Sequence, residues 1–282
     1  MTTSAPAAQD FAPVTAVIPC FRNADTLHRA VQSVLDQTAR PAEVIIVDDA
    51  SDDELTRRSL LSIEAAFAGS VRVIRLDING GASVARNRGW DEASQPFVAF
   101  LDADDAWHPE KIALQLPIML GRDGASISGH FISINKFLDV KECPPRFQLP
   151  VSLSLREMLM RNRFPTPSVI LRTSLTQRFD PSRRLCEDYD LWLRIIAAGE
   201  KCRYLPIPLT STFKASFGEK GLSNQLWAMD RAQADVYKSL SAEGIISSVS
   251  YALLVLWGWI RFARRLSISS AQRLARSFRE AS

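Results

Sequence analysis

The stretch that most constrains this chain is FVAFLDADDAWHP, Phe97 to Pro109. It opens with five consecutive apolar residues, Phe97 to Leu101. A run this short and this apolar reads as a strand covered on both faces, the kind found in parallel sheets with helices above and below. Three carboxylates follow at once, Asp102, Asp104 and Asp105. Like charges this close repel, so a buried strand that delivers them to its C-terminal edge calls for a cation there, most simply a hard divalent ion. An acidic surface turn with Asp102 as a helix cap would satisfy the same spacing. Pro109 is expected to open the next helix, because its fixed φ suits the first helical position.

The preceding residues repeat the pattern. Val14 to Ile18 reads as a first strand stopped by Pro19, followed by the loop CFRNAD. Leu27, Ala30, Val31, Val34 and Leu35 then fall at helical spacing, with Asn23 or Asp25 as candidate cap. Val44 to Val47 is a second buried strand ending in Asp48 and Asp49, and a helix carrying Leu55, Leu60 and Ile63 follows. Val71 to Leu76 is a third strand, Asn79-Gly80-Gly81 a turn, and Ala82 to Ala93 a helix that carries Arg86, Asn87 and Arg88. Alternating strands and helices predict a mainly parallel sheet with helices on both faces. Ligands of such sheets sit outside the C-terminal strand ends, where the winding direction switches. Three loops here would converge on that edge, 19–23, 48–49 and 102–105, which favours a ligand site over a surface turn.

The second half is less regular. Ala125 to Ile134 is expected to be a strand, Lys141 to Pro150 a loop, Ser154 to Met160 a short helix and Ser168 to Leu171 a short strand. In CEDYDLWLRIIAAG, Leu191, Trp192, Ile195 and Ile196 lie at helical spacing, and Gly199 is a terminator. Glu187 and Asp188 stand at the front of that helix, where its dipole favours negative charge. The chain has 282 residues, 46% of them hydrophobic, enough for one large domain or one domain with a small appendage. A net charge of +3 gives no reason to invoke nucleic acid. Cys20, Cys143, Cys186 and Cys202 form no CxxC pair and fit reduced thiols in a cytosolic protein. The first dozen residues lack a basic region followed by an apolar core, so they read as a disordered lead-in (1–12), not a signal peptide.

Five segments together resemble the family 2 glycosyltransferases, nucleotide-sugar transferases with the GT-A fold. They are VTAVIPCFRNADTLHRAVQSVLDQT, EVIIVDDASDD, NGGASVARNRG, FVAFLDADDAWHPEKI and CEDYDLWLRIIAAG, in the family's order. The resemblance implies an α/β GT-A catalytic domain over 13–215: a nucleotide-binding half (13–109), an acceptor half (110–215), and a helical basic tail (216–282). It implies that Pro19, Phe21 and Asn23 pack against the nucleotide, that Asp48 bonds the base, typically uracil, and that Arg86 reaches the nucleotide. It places Asp102 near the ribose and gives Asp104 the metal, Mn²⁺ or Mg²⁺. It makes Asp188 the general base, with Glu187 and Trp192 on the acceptor side, where core packing is as good a reading of Trp192. No QxxRW-type motif of the processive synthases follows, which suggests single additions. A nucleotidyltransferase would need a Gly-rich phosphate loop near the N-terminus, which is missing.

The implied partners are a nucleotide-sugar donor and a glycan or lipid-linked acceptor, with no nucleic acid; a homo-oligomer stays open. A different class, a non-catalytic sugar-nucleotide-binding or assembly subunit, fits less well with intact Asp102, Asp104 and Asp188. In the tail, Leu222 to Leu240 reads as an amphipathic helix. Ile245 to Ile260 is mostly apolar but shorter than the roughly 20 residues a span needs. Trp257 and Trp259 precede six arginines, from Arg261 to Arg279. That pattern suits peripheral contact of 245–282 with the cytoplasmic face of the inner membrane, and equally a helix that packs on its own domain or mediates dimerisation.

Overall fold

The computed structural model describes residues 11–121, 123–134, 149–213 and 222–262. The first seven elements alternate as the sequence predicts: β1 (Ala12–Cys20), α1 (Ala24–Leu35), β2 (Pro41–Asp48), α2 (Glu54–Ala66), β3 (Val71–Arg75), α3 (Ala82–Asp91) and β4 (Phe97–Phe100). β1 pairs in parallel with β2 and β4, and β2 with β3. β1 is therefore where the winding reverses, with β2 and β3 on one side and β4 on the other. Pro19 does not stop β1, which runs on to Cys20; one missing donor near a strand's end is tolerated.

Strand side chains divide with period two. Val17, Ile45, Val47, Val98 and Phe100 join a core on the α3 face, while Ala16, Ile18, Val44, Ile46 and Ala99 join the core under α1 and α2. α3 lies close on the sheet because Gly89 has no side chain: a Cβ there would overlap Val17 and crowd Val47. Trp90 beside it packs edge-on to Phe100 at 5.7 Å and donates its indole N–H to the Thr173 carbonyl.

The second half contains β5 (Ala106–Trp107), α4 (Lys111–Leu120), β6 (Ile127–Ile134), β7 (Val151–Ser152), α5 (Leu155–Met160), a 3-10 turn at Thr166–Ser168, β8 (Ile170–Arg172), α6 (Glu187–Ala197), β9 (Cys202–Thr212) and α7 (Leu222–Ala242). A further helix, α8, spans 248–262. The mixed sheet runs β3-β2-β1-β4-β8-β6-β9-β5, with β7 also on β9. α4 begins two residues later than expected: Pro109 turns its carbonyl to the Thr38 N–H, and Glu110 becomes the cap. β9 has no counterpart among the expectations above, and its Pro206 and Pro208 are unusual for an interior strand. Both prolines fall between the residues paired with β7 and those paired with β5, and opposite a register shift in β6. The sheet therefore asks little of the donors they lack.

The expected boundary before the tail is not a packing boundary. Val236, Tyr237 and Leu240 of α7, with Ile246 and Leu254, are buried in the core that holds α6. The lead-in residues 1–10, most of the 141–150 loop and the arginines beyond Arg261 lie outside the described residues, and so does Cys143. Cys20, Cys186 and Cys202 are free thiols.

Gly89 gives a direct test of the α3 contact. Gly89→Val should cost about 1–3 kcal/mol through overpacking, read as a lower urea midpoint at unchanged helical content. An unshifted midpoint would show that α3 can lift off the sheet.

Candidate active site

Three loops at the C-terminal edge are knitted together before any ligand is considered. After β1, Arg22 adopts a left-handed φ of 54°; its N–H reaches Ser51 Oγ at 3.0 Å and its guanidinium grips Asp52 at 2.8 and 2.7 Å. After β2, Asp48 accepts from the Ser51 N–H at 3.1 Å, which closes the turn around left-handed Ala50. Asp49 accepts from the N–H groups of Gly80 and Gly81 at 2.8 and 2.7 Å, which joins the β2 loop to the start of α3. Gly81 has φ 86°, so glycine is what this turn requires.

Between these loops lies a cleft of about 280 Å³ at the β1–β4 switch point, lined by Pro19, Phe21, Asn23, Arg86, Asp102 and Asp104 among others. Asp49 lines it too, whereas Asp48 does not. Of the two acids, Asp49 faces the cleft with its oxygens taken by the Gly80 and Gly81 N–H groups, while Asp48, expected to bond the base, accepts from Ser51 in the turn. Side chains alternate along a strand, so a DD doublet at its end cannot say which acid faces the cleft.

Arg86 is the centre of the site. It is buried, with its guanidinium 2.7 Å from Asp102 Oδ1 and 3.0 Å from Glu187 Oε1. It also lies 5.4 Å from the centre of the Phe179 ring. Burial alone would lower its pKa, but the two carboxylates outweigh that and hold it above the ordinary arginine range. Asn87 fixes Phe179 from below through paired bonds to its backbone, at 2.8 and 3.0 Å.

The acidic turn follows. Ligand oxygens of Asp102, Asp104 and Asp105 lie within 4.8 Å of one another. Arg29 donates to the Asp104 carbonyl at 2.5 Å, and Asp105 N–H to the Asp102 carbonyl at 3.0 Å, so the backbone of the turn is fixed. Trp107 closes it, its indole N–H 2.9 Å from the Pro167 carbonyl. This all-oxygen set fits a hard divalent cation, with room for phosphate oxygens and water beside one or two carboxylates.

On the far side of Arg86, Cys186 is left-handed (φ 58°) and α6 begins with Glu187 and Asp188. Asp188 accepts from the Tyr189 N–H at 2.6 Å and from Thr166 Oγ1 at 3.4 Å. Burial, then the neighbouring Glu187 charge, pushes its carboxyl up to about 6. Thr166 had no local signal in the sequence, because the contact spans 22 residues. Trp192 is not on the acceptor side. It is wholly buried, bonded to the Phe164 carbonyl at 2.8 Å and packed 5.8 Å from Phe179. Core packing behind the first turn of α6 accounts for it.

The sequence model for Glycosyl transferase family 2 matches residues 15–183. The putative teichuronic acid biosynthesis glycosyltransferase TuaG of Bacillus subtilis (strain 168) is 31% identical over 188 residues, 66% of this chain and 73% of TuaG. The Escherichia coli UDP-Glc:alpha-D-GlcNAc-diphosphoundecaprenol beta-1,3-glucosyltransferase WfgD is 29% identical over 184 residues, 65% of this chain and 69% of WfgD. Among solved structures, the mannosyltransferase PcManGT from Pyrobaculum calidifontis, in complex with GDP-Man and Mn²⁺, matches with a TM-score of 0.61 at 14% identity. The match covers 96% of this chain and 85% of that one, and bears on the fold alone.

Two tests follow from the electrostatics. Arg86→Met leaves the part-buried carboxylates of Asp102 and Glu187 without their cation and should cost on the order of 1–3 kcal/mol, less than for a fully buried pair; a thermal scan showing no loss would mean water or a cation replaces it. The Asp188 carboxyl is raised from 3.8 to about 6, so it stabilises the fold while protonated and loses that as pH rises through about 6. Asp188→Asn should therefore be the more stable protein at neutral pH, by on the order of 2 kcal/mol. Its advantage should vanish near pH 4, and paired melts at both pH values read the difference.

Proposed function

The chain belongs to glycosyl transferase family 2, has the GT-A fold and is a glycosyltransferase; from that premise we propose that it is an inverting, metal-dependent enzyme. It would move one sugar from a nucleotide-diphosphate sugar, UDP-sugars being the first donors to try, to a hydroxyl of a glycan or lipid-linked acceptor. Its place would be cell-surface polysaccharide synthesis, a reading supported by what TuaG and WfgD are named for. The catalytic unit would be 13–215, with α7 packed on it and 245–282 holding the protein at the cytoplasmic face of a membrane. No helix of the described residues is long and apolar enough to cross one.

The observation that carries this reading is the Arg86 bridge. One guanidinium ties the donor-side acid Asp102 to Glu187, the residue next to the raised carboxyl of Asp188. A transferase needs that arrangement, with leaving-group and acceptor chemistry fixed relative to each other. Pro19, Phe21 and Asn23 would hold the base and ribose, with Asp49 on the same wall. Asp104, aided by Asp102 and Asp105, would hold a divalent cation, which supplies Lewis-acid stabilisation of the charge growing on the leaving diphosphate. Asp188 would accept the proton of the acceptor hydroxyl, for which a pKa near 6 suits work around neutral pH. Glu187 raises that pKa while Arg86 keeps Glu187 in place. A single base opposite the leaving group gives inversion at the anomeric carbon.

The test is donor hydrolysis across UDP- and other nucleotide sugars with Mn²⁺ or Mg²⁺, in wild type, Asp104→Ala and Asp188→Asn. Asp104→Ala should weaken metal-dependent donor binding, and Asp188→Asn should abolish transfer with donor affinity nearly intact. Turnover unchanged in Asp188→Asn would remove it as base. Donor binding with no turnover in any condition would instead favour a non-catalytic binding subunit.

A further inference from the structure

We propose that the space between α7 and α8 is a hydrocarbon-chain site, which takes the lipid part of the acceptor from a membrane on which α8 lies. The inference rests on the reading that the acceptor is lipid-linked. The cavity measures about 310 Å³, and its walls include Trp227, Tyr237, Leu254, Trp259 and Phe262. Trp227 stands edge-on to Trp259 at 5.2 Å and to Phe262 at 5.7 Å. Walls of this kind offer a ligand dispersion contact and little hydrogen bonding.

The outer side of α8 carries a second apolar surface. Val249, Leu253, Leu256, Trp257 and Ile260 recur at helical spacing and are exposed, Val249 and Leu253 by 70% and 61%. A continuous apolar stripe in water marks an interface. The charge around it selects the occupant. Arg261, Arg264 and Arg265 follow the stripe, and no acid appears before Glu280. Tryptophans beside a basic run match an anionic lipid surface, where aromatic rings sit at headgroup level and cations meet phosphate.

The cavity is also connected to the base. Tyr237 in its wall bonds Tyr189 Oη at 3.2 Å and the Leu159 carbonyl at 2.8 Å, and Tyr189 follows Asp188. Arg261 of α8 donates to the Met160 carbonyl at 3.3 Å. From Met160 the chain continues through Arg161 and Arg163, both exposed, which with Pro165 line a second pocket of about 250 Å³. The next residue, Thr166, bonds Asp188. One short segment, 160–166, therefore links the cavity wall, the two arginines and the Asp188 contact, and in the proposed site the lipid sits in the cavity, its diphosphate by Arg161 and Arg163, and the sugar at Asp188.

The test uses the full chain, with farnesyl diphosphate and farnesol as probes and tryptophan fluorescence as readout. Gly258 lines the cavity, and a Cβ there meets nothing within 4 Å, so the side chain of Gly258→Phe starts in open space at the cavity wall. Ala234→Phe is a second filler from the other helix. Both should weaken both probes about tenfold or more, through loss of apolar burial. Arg161→Glu with Arg163→Glu should weaken the diphosphate and spare farnesol. Leu253→Glu with Leu256→Glu should abolish co-sedimentation with phosphatidylglycerol vesicles. Unchanged probe affinity in both fillers, or no binding by wild type, overturns the cavity assignment. Undiminished sedimentation of the stripe variant overturns the membrane surface in favour of a cover by residues 263–282 or another protein. Donor hydrolysis should persist in the fillers, and its absence in wild type would fail the transferase reading without touching the probe result.

Discussion

The buried guanidinium of Arg86 is the contact on which the rest of the site depends. It reaches from α3 to the end of β4 on one side and to the first turn of α6 on the other. Those elements are far apart in sequence, and no backbone hydrogen bond could hold their tips in register. Taking a charge out of water is expensive unless its partners come with it. Here they do, and in excess: one cation faces Asp102 and Glu187, with Asp104 and Asp105 close by. The surplus is negative and lies on the cleft side. A negative surplus of this kind is what a hard divalent cation would offset.

Backbone strain follows the same geography. Arg22, Ala50 and Cys186 are the non-glycine residues with left-handed φ in the described structure, and each sits in a loop that shapes the site. A left-handed residue with a Cβ costs about 1–2 kcal/mol, so each needs local compensation. Arg22 has it from Ser51 and Asp52, Ala50 from the Asp48 turn, and Cys186 from its carbonyl, which accepts the Asp190 N–H as α6 starts. The stable sheet below supports three turns that would not hold by themselves.

What the sequence revealed depended on how local the signal was. β4 and its acids were legible because five apolar residues and three carboxylates are adjacent, and the helices α1 to α3 because their periodicity is undisturbed. β9 was hidden: its two prolines are harmless only because of where β7 and β5 pair, and pairing is a tertiary fact. Which acid of Asp48–Asp49 faces the cleft depends on the glycine turn of another loop, which the doublet alone does not show. Trp192 looked the same as a core residue and as a platform, and burial decided. The Arg86–Glu187 pair spans 101 residues, beyond any motif.

The C-terminal helices extend the same logic of shared anchoring. α7 is not an appendage: Val236, Tyr237 and Leu240 complete the core that carries α6. Tyr237 and Tyr189 meet over the Leu159 carbonyl, so the first turn of α6, the end of α5 and the middle of α7 share one polar knot in an apolar setting. A low local dielectric strengthens such bonds and makes an unpaired hydroxyl costly, so the knot resists partial opening. α8 is tied to it through Arg261, which bridges Gln233 and Met160. The Glu187–Asp188 side of the site is thus built against the C-terminal helices, while the Asp102–Asp105 side is built against the sheet edge.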